Sequence, residues 1–153
     1  MVIDNSDDDM VNPKPRPLRF VIVQQGPLWI IFKRNMIIKL RQELLISSNK
    51  TIEDRGANVQ IKNDGDLTMQ YVNNVIIHEI CINKIVPKDG GMIRDSYTHF
   101  GLRIKSNEDA LSIFGTSNIW IDHVFLFDST NGLIDDQIPP PSNNELRSKV
   151  THL

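Results

Sequence analysis

The sequence predicts an all-β solenoid, a fold in which short strands stack in successive coils. Residues 67–82 (LTMQYVNNVIIHEICI) align without a gap with residues 111–126 (LSIFGTSNIWIDHVFL), 44 positions later. A weaker copy places Asn49 25 residues before Asn74, ahead of another short apolar run. The separation of 44 residues indicates about two repeats of the roughly 20–29 residues that are typical of solenoids. Each repeat would form one coil, which cannot bury its own apolar face and depends on its neighbours for a core.

A leucine-rich-repeat solenoid is the alternative, but the units do not keep the leucine spacing of that class. Asn49, Asn74 and Asn118 stand at the same place in the three copies. Asparagine tolerates the left-handed backbone of a sharp turn and bonds to nearby backbone groups. Stacked coils would place these asparagines in register. Three unconnected turn asparagines are the alternative interpretation, and the sequence leaves it open.

The other elements follow from local patterns. A short helix is predicted at residues 18–24, because Pro17 suits a first helical position and Leu18, Val21 and Ile22 share one face. Such a helix would cap an open end of the core. Strands are predicted at residues 28–32, 36–40, 44–46, 50–52, 58–61, 111–114 and 119–127. The acidic segment 4–9 is expected to be solvated.

Composition excludes several classes of function. The 153 residues suggest one domain, and a net charge of −2 gives no basic surface for nucleic acid. The single cysteine, Cys81, excludes an intrachain disulfide and a cysteine-based zinc cluster. No apolar run reaches the roughly 18–20 residues of a membrane span. The start, MVIDNSDDDM, lacks the basic end and apolar centre of a signal peptide, so we expect no export signal in the chain as written.

Several segments carry a family resemblance. They are DNSDDDMVNPKP (4–15), PLWIIFKR (27–34), NKTIEDRGANVQI (49–61), EDALSIFG (108–115), WIDH (120–123) and NGLID (131–135). In this order they resemble the plant-type pectate lyases, calcium-dependent polysaccharide lyases that cleave de-esterified pectin. The resemblance implies a right-handed parallel β-helix with a short N-terminal capping helix, incomplete in this chain, which matches a truncated N-terminal portion. Family members are secreted to the cell wall, and the resemblance therefore also implies an extracellular location.

The resemblance stops after Asp136, which divides the chain into a β-helix domain, residues 1–136, and a divergent tail, residues 137–153. The tail, QIPPPSNNELRSKVTHL, contains three consecutive prolines and no periodicity, so it is expected to be extended or disordered. The last coil would then expose an unpaired strand edge, which favours self-association.

The resemblance also implies a calcium site. The family supplies one aspartate from a D-G-D segment and two carboxylates from a D-G-L-x-D segment, and these positions fall on Asp109, Asn131 and Asp135. Asn131 stands where the family has an acid and can offer only a neutral oxygen. Calcium affinity falls as ligand charge is removed, so we predict a weak calcium site. The alternative is that Asp109 and Asp135 are solvated acids at strand ends.

The family's reaction is a β-elimination in which an arginine removes a proton from the uronate. The resemblance places that arginine on later coils, so no residue of this chain is assigned a catalytic role. Arg94 and Arg103 match upstream family positions and are expected to be surface charges. We therefore expect family membership with polygalacturonate as the partner, and inactivity of this chain alone. The alternative is a non-catalytic remnant that binds pectate or calcium.

Asp122 and His123 invite a catalytic interpretation, because a histidine beside an aspartate suits acid–base chemistry. Adjacent strand residues point to opposite faces, so the two are not expected to form a dyad. We expect Trp120 to pack and the two polar residues to satisfy local groups. His78 lies at the matching place of the other copy, one residue offset, and is followed by Glu79, where the family usually has glycine.

Overall fold

The computed structural model describes residues 1–63, 67–85, 90–103, 109–127, 132–137 and 146–152. Side chains are described for these residues except 63, 83–85, 109–110, 126–127, 132–137 and 146–152. The described elements are α1 (Leu18–Ile22), β1 (Leu28–Ile30), β2 (Met36–Leu40), β3 (Leu44–Leu45), β4 (Lys50–Glu53), β5 (Val59–Asn63), β6 (Leu67–Gln70), β7 (Asn73–His78), β8 (Cys81–Ile85), β9 (Met92–Arg94), β10 (Phe100–Leu102), β11 (Asp109–Phe114), β12 (Ser117–Phe127), β13 (Gly132–Gln137) and β14 (Leu146–His152). No described helix is long and apolar enough to cross a membrane.

Parallel strands form three faces that run along the stack of coils. Face A has the order β13-β11-β6-β3. Face B contains β1, β4, β7 and the first part of β12, whereas face C contains β2, β5, β8 and the second part of β12. The last strand, β14, pairs with both parts of β12. Faces B and C join into one sheet because β12 continues around the corner and pairs first with β7 and then with β8. Three faces of parallel strands, connected in the order A, B, C in each coil, make a parallel β-helix.

The register of face A corrects the predicted repeat length. Leu44 pairs with Leu67, and Leu67 pairs with Leu111. Residues 67 and 111 therefore lie in neighbouring coils, and the prediction that 44 residues span two coils is wrong. The chain between these coils contains β9 and β10, which pair antiparallel with each other outside the three faces. Elsewhere the coil length is close to the expected value, since Lys50 pairs with Val75.

Alternation along the strands builds the core. In β2, the side chains of Met36, Ile38 and Leu40 are buried and the two between them are exposed. Parallel pairing repeats this pattern in the next coils, because Ile38 pairs with Ile61 and Ile61 with Ile82. Each fully buried aliphatic side chain contributes about 1.5–3 kcal/mol relative to an exposed one, so the stacked rows hold the coils together.

The first end of this core is covered by α1, as predicted, although the helix ends at Ile22 and Pro17 is its N-cap. A buried ion pair fixes the helix to the coils. The Nη2 of Arg19 donates to Oδ2 of Asp7 at 3.0 Å, and the same oxygen accepts a hydrogen bond from the backbone N–H of Arg41 at 2.7 Å. The expectation that segment 4–9 is solvated is therefore wrong at Asp7, because a cation distant in sequence compensates its charge.

The C-terminal segment also departs from the prediction of an extended or disordered tail. Its residues Leu146–His152 form β14, which pairs in parallel with β12 from Ile119 onward. The edge of β12 presents backbone groups that another strand can satisfy, and such pairing needs no side-chain periodicity. The division of the chain at residue 136 stays a prediction.

Candidate functional site

Two of the three predicted calcium ligands, Asp109 and Asp135, fall on neighbouring strands of face A. Asp109 begins β11 and pairs with Gly132, whereas Asp135 lies in β13 and pairs with Ser112. Their Cα atoms are thus three register positions apart, about 10 Å along the strands. The side chains of Asp109 and Asp135, and all of Asn131, lie outside the described residues.

Carboxylate and amide oxygens are ligands that calcium prefers, so the three residue types suit a calcium site. Strand pairing places the two aspartate-bearing strands next to each other, with the aspartates at different levels along them. The ligand set itself stays a prediction.

Asparagines occupy the corner between faces A and B, as predicted. Asn49, Asn74 and Asn118 have φ values of 61°, 56° and 55°. The Nδ2 of Asn74 donates to Oδ1 of Asn49 at 3.0 Å. The stacked arrangement is therefore confirmed, and the alternative of unconnected turn residues is excluded for this pair. We call these three residues the asparagine corner.

A second left-handed corner lies between faces B and C, and its residues are not asparagines. Glu79 has a φ of 56° and His123 a φ of 52°. Because a left-handed residue interrupts the alternation of the strand, the His123 side chain turns back toward its neighbour. Its Nδ1 lies 2.8 Å from Oδ1 of Asp122. The prediction that Asp122 and His123 do not form a dyad is therefore wrong.

His78 completes this group from the neighbouring coil. Its backbone pairs with that of Asp122, and its Nδ1 lies 3.1 Å from Oδ2 of that carboxylate. The Nε2 of His78 lies 3.2 Å from Oε1 of Glu79. The rings of His78 and His123 meet edge to face with centroids 5.8 Å apart. We call His78, Asp122 and His123 the histidine cluster. The sequence signal for it was that the histidines of the two copies lie one residue apart in the alignment, with His78 opposite Asp122.

Asp54 lies beside the histidine cluster in an unfavourable environment for a charge. It lines a cavity of about 320 Å³ together with Glu79, Cys81 and His123. Its Oδ1 is buried without a hydrogen-bond partner among the described residues. Burial, followed by the nearby negative charge of Glu79, raises the pKa of Asp54 to about 6. Burial also raises the pKa of the Cys81 thiol, which makes it a poor nucleophile.

The outer surface of face B carries a row of apolar side chains. Trp29, Thr51, Ile76 and Trp120 follow one another in register and line an open groove of about 670 Å³. Trp120 was expected to pack, and it does so in this outer row, where it is 43% exposed, and not in the core. The reason is that side chains alternate along β12: Ile119 and Ile121 are buried, so Trp120 between them points outward.

The two arginines singled out in the sequence hold the β9–β10 segment against the coils. Arg94 donates from Nε to the backbone oxygen of Val11 at 2.6 Å. Arg103 donates from Nε to Oε2 of Glu43 at 3.1 Å and from Nη1 to Gln70 at 3.2 Å. Both side chains are partly buried and engaged, and the expectation that they are surface charges is wrong.

Several proteins of similar sequence are named pectate lyases. No family model matches the chain. A probable pectate lyase 7 of Arabidopsis thaliana is 52% identical over 152 residues, which cover 99% of this chain and 32% of that protein. A pectate lyase of Lilium longiflorum is 54% identical over 135 residues, covering 88% of this chain and 31% of that protein. The first of these matches extends past Asp136, where the resemblance was predicted to stop.

The crystal structure of Jun a 1, the major allergen from cedar pollen, superposes with a TM-score of 0.85 at 34% identity. The superposition covers 99% of this chain and 42% of that structure. The prediction of a right-handed parallel β-helix is confirmed. The chain spans about a third of the length of the curated relatives that it matches. Identity above 50% over most of its residues, together with the shared fold, shows that this chain belongs to the pectate lyase family.

Proposed function

We propose that the chain supplies the first coils of a pectate lyase and contributes to calcium-dependent β-elimination of polygalacturonate at the cell wall. The observation that carries the proposal is the 52% identity over 152 residues with a probable pectate lyase. The fold supports it, since neighbouring strands of face A bear the two aspartates expected to hold the metal.

In this proposal Asp109 and Asp135 provide the two carboxylates of the calcium site, and Asn131 provides a neutral oxygen. Bound calcium would neutralise the uronate carboxylate and make the proton on the adjacent carbon more acidic. The part played by the chain's own residues is to position that charge on an extended face of parallel strands. Such strands vary little in spacing, about 4.8 Å from one to the next, which suits a linear polymer.

The 153-residue chain alone is proposed to bind without cleaving. The resemblance places the base arginine on later coils, and Arg94 and Arg103 already donate to Val11, Glu43 and Gln70. A non-catalytic module that binds pectate or calcium is therefore the second candidate function, favoured by the missing charge at Asn131.

A turnover assay separates the two candidates. The purified chain is incubated with polygalacturonate and calcium, and unsaturated product is followed by its ultraviolet absorbance, with a full-length pectate lyase as the positive control. We expect no product above the enzyme-free rate. Turnover that a chelator abolishes would show that the chain is itself a lyase.

Self-association is a further part of this proposal. Among the described residues, β13 and β14 each pair with a strand on one side only. An open strand edge is a template for a second chain. We expect a concentration-dependent increase in mass by light scattering; a constant monomer mass would count against it.

A further inference from the structure

We propose that the histidine cluster binds a divalent transition-metal ion of the zinc class. The ligands are His78, Asp122 and His123, at the corner between faces B and C. The site is separate from the two predicted calcium-binding aspartates, Asp109 and Asp135, which lie on strands of face A.

The distances within the cluster suit a single small ion. One potential ligand atom from each residue lies within 4.8 Å of the other two. The Nδ1 atoms of His78 and His123 lie 3.1 Å and 2.8 Å from the two oxygens of one carboxylate. Tetrahedral zinc with bonds of about 2.0–2.1 Å separates its ligand atoms by about 3.3 Å. The two nitrogen–oxygen separations in the cluster are slightly shorter than this value.

The backbone at the corner holds the ligands in place at an energetic cost. His123 adopts a φ of 52°, a left-handed conformation that costs a residue of this type about 1–3 kcal/mol. The asparagine corner uses a residue that adopts this conformation readily, whereas this corner uses histidine, which also tolerates it, and glutamate, for which it is less favourable. The gain from the strained backbone is that the imidazole reaches the carboxylate of the preceding residue.

Glu79 acts as a positioning residue for His78. Its Oε1 lies 3.2 Å from Nε2 of the ring, while the opposite nitrogen faces Asp122. Metal-bound histidines usually donate their second N–H to a carboxylate in this manner, which fixes the tautomer and orients the ring. Glu79 thus presents the Nδ1 of His78 to the ion.

The donor set predicts which metals enter. Two imidazoles and one carboxylate suit zinc, copper or nickel, whereas calcium requires about six to eight oxygen ligands. The side chains of His78, Asp122 and His123 are 29%, 22% and 48% exposed, so solvent reaches the cluster and an ion can enter. Three protein ligands leave a fourth position for water.

Isothermal titration of the untagged, metal-free chain with zinc tests the proposal. We expect one high-affinity zinc ion per chain, which excess calcium does not displace. His78→Gln and His123→Asn should each lower the affinity about tenfold or more. Asn is chosen at position 123 because it tolerates a left-handed backbone. His99→Gln is the matched control, since this exposed histidine pairs with Asp95 away from the cluster and should leave the affinity unchanged.

A spectroscopic readout guards against variants that merely unfold. Circular dichroism should be the same for all three variants, and cobalt(II) should give the intense visible absorption of tetrahedral coordination in the wild type and in His99→Gln only. Absence of binding at millimolar zinc would overturn the proposal. Equal affinity of the wild type and both cluster variants would do so too, because the ion would then lie elsewhere.

Discussion

Both corners of the β-helix turn the chain through a left-handed residue, but the two corners use different residue types. Between faces A and B the chain turns at stacked asparagines, and Asn74 donates to Asn49 across the coils. Between faces B and C it turns at Glu79 and His123, which contact His78 and Asp122 through charged or ionisable groups. The first corner uses residues suited to the backbone, and the second uses residues suited to binding.

This difference indicates that the first corner contributes mainly to stability, whereas the second corner presents ionisable side chains. Asparagine in a left-handed turn is favourable because its short side chain bonds locally, so the first corner strengthens the stack. Glutamate is less favourable there, and the side chains of the second corner contribute ionisable contacts instead of a stack of amides. Substitutions at the two corners should therefore have effects of opposite sign.

The largest effect is expected at the asparagine corner. Asn74→Ala loses the hydrogen bond to Asn49 and places alanine in the left-handed region, which together should lower the free energy of unfolding by about 2 kcal/mol. Asn74→Gly loses only the hydrogen bond and should cost about half as much. Urea denaturation measures both values; equal losses would show that the backbone conformation contributes nothing.

A smaller, pH-dependent effect is expected beside the histidine corner. The pKa of Asp54 is raised to about 6 from 3.8, so the folded state favours the protonated form. Its contribution to stability is therefore complete below about pH 4 and is lost as the pH rises through 6. Asp54→Asn should raise the free energy of unfolding near pH 8 by about 1 kcal/mol, allowing for partial solvent screening, and should change it little at pH 4.

Urea denaturation of wild type and Asp54→Asn across this pH range gives the comparison. Asp8→Asn provides a control with no effect of this kind expected, because Asp8 is exposed and its partner is Arg41, not a histidine that titrates in this range. A stabilisation by Asp54→Asn that is equal at pH 4 and pH 8 would contradict the raised pKa.

The smallest effect concerns Glu79. Glu79→Gly relieves the left-handed strain and removes a negative charge near Asp54, but it loses the contact with His78. In zinc-free buffer the net result should be a stabilisation of about 0.5 kcal/mol. Urea denaturation in the same buffer measures Glu79→Gly beside Asn74→Gly, which is expected to lower the free energy of unfolding. Destabilisation by both glycine variants would remove the proposed difference between the corners.

Much of the fold could be predicted because the stacking of coils leaves a repeated pattern in the sequence. The aligned apolar runs and the asparagine at each copy's corner follow directly from stacking, and the structure keeps both. The coil count was wrong because β9 and β10 pair with each other and contribute nothing to the repeat. The strand β14 was missed since its pairing depends on the edge of β12 and not on its own pattern.

The candidate site was less predictable because it depends on departures from regular structure. Strict strand alternation separates Asp122 from His123, and only the left-handed φ at His123 brings them together. In the same way, the composition of segment 4–9 concealed the buried Asp7, whose partner Arg19 lies 12 residues away. The aspartates of face A were found only through family resemblance, since isolated aspartates at strand ends have no distinctive spacing.

Equilibrium binding of the purified chain to polygalacturonate, with and without calcium, tests the proposed function most directly. We expect binding only when calcium is present, loss of binding in the double variant Asp109→Asn, Asp135→Asn, and about tenfold tighter calcium binding in Asn131→Asp. Asn35→Asp adds the same charge on face C, where Asn35 Oδ1 accepts from the backbone of Asn58, and should have no effect. Binding that is independent of calcium, or unchanged in the double variant, would contradict the assignment of the calcium site to face A.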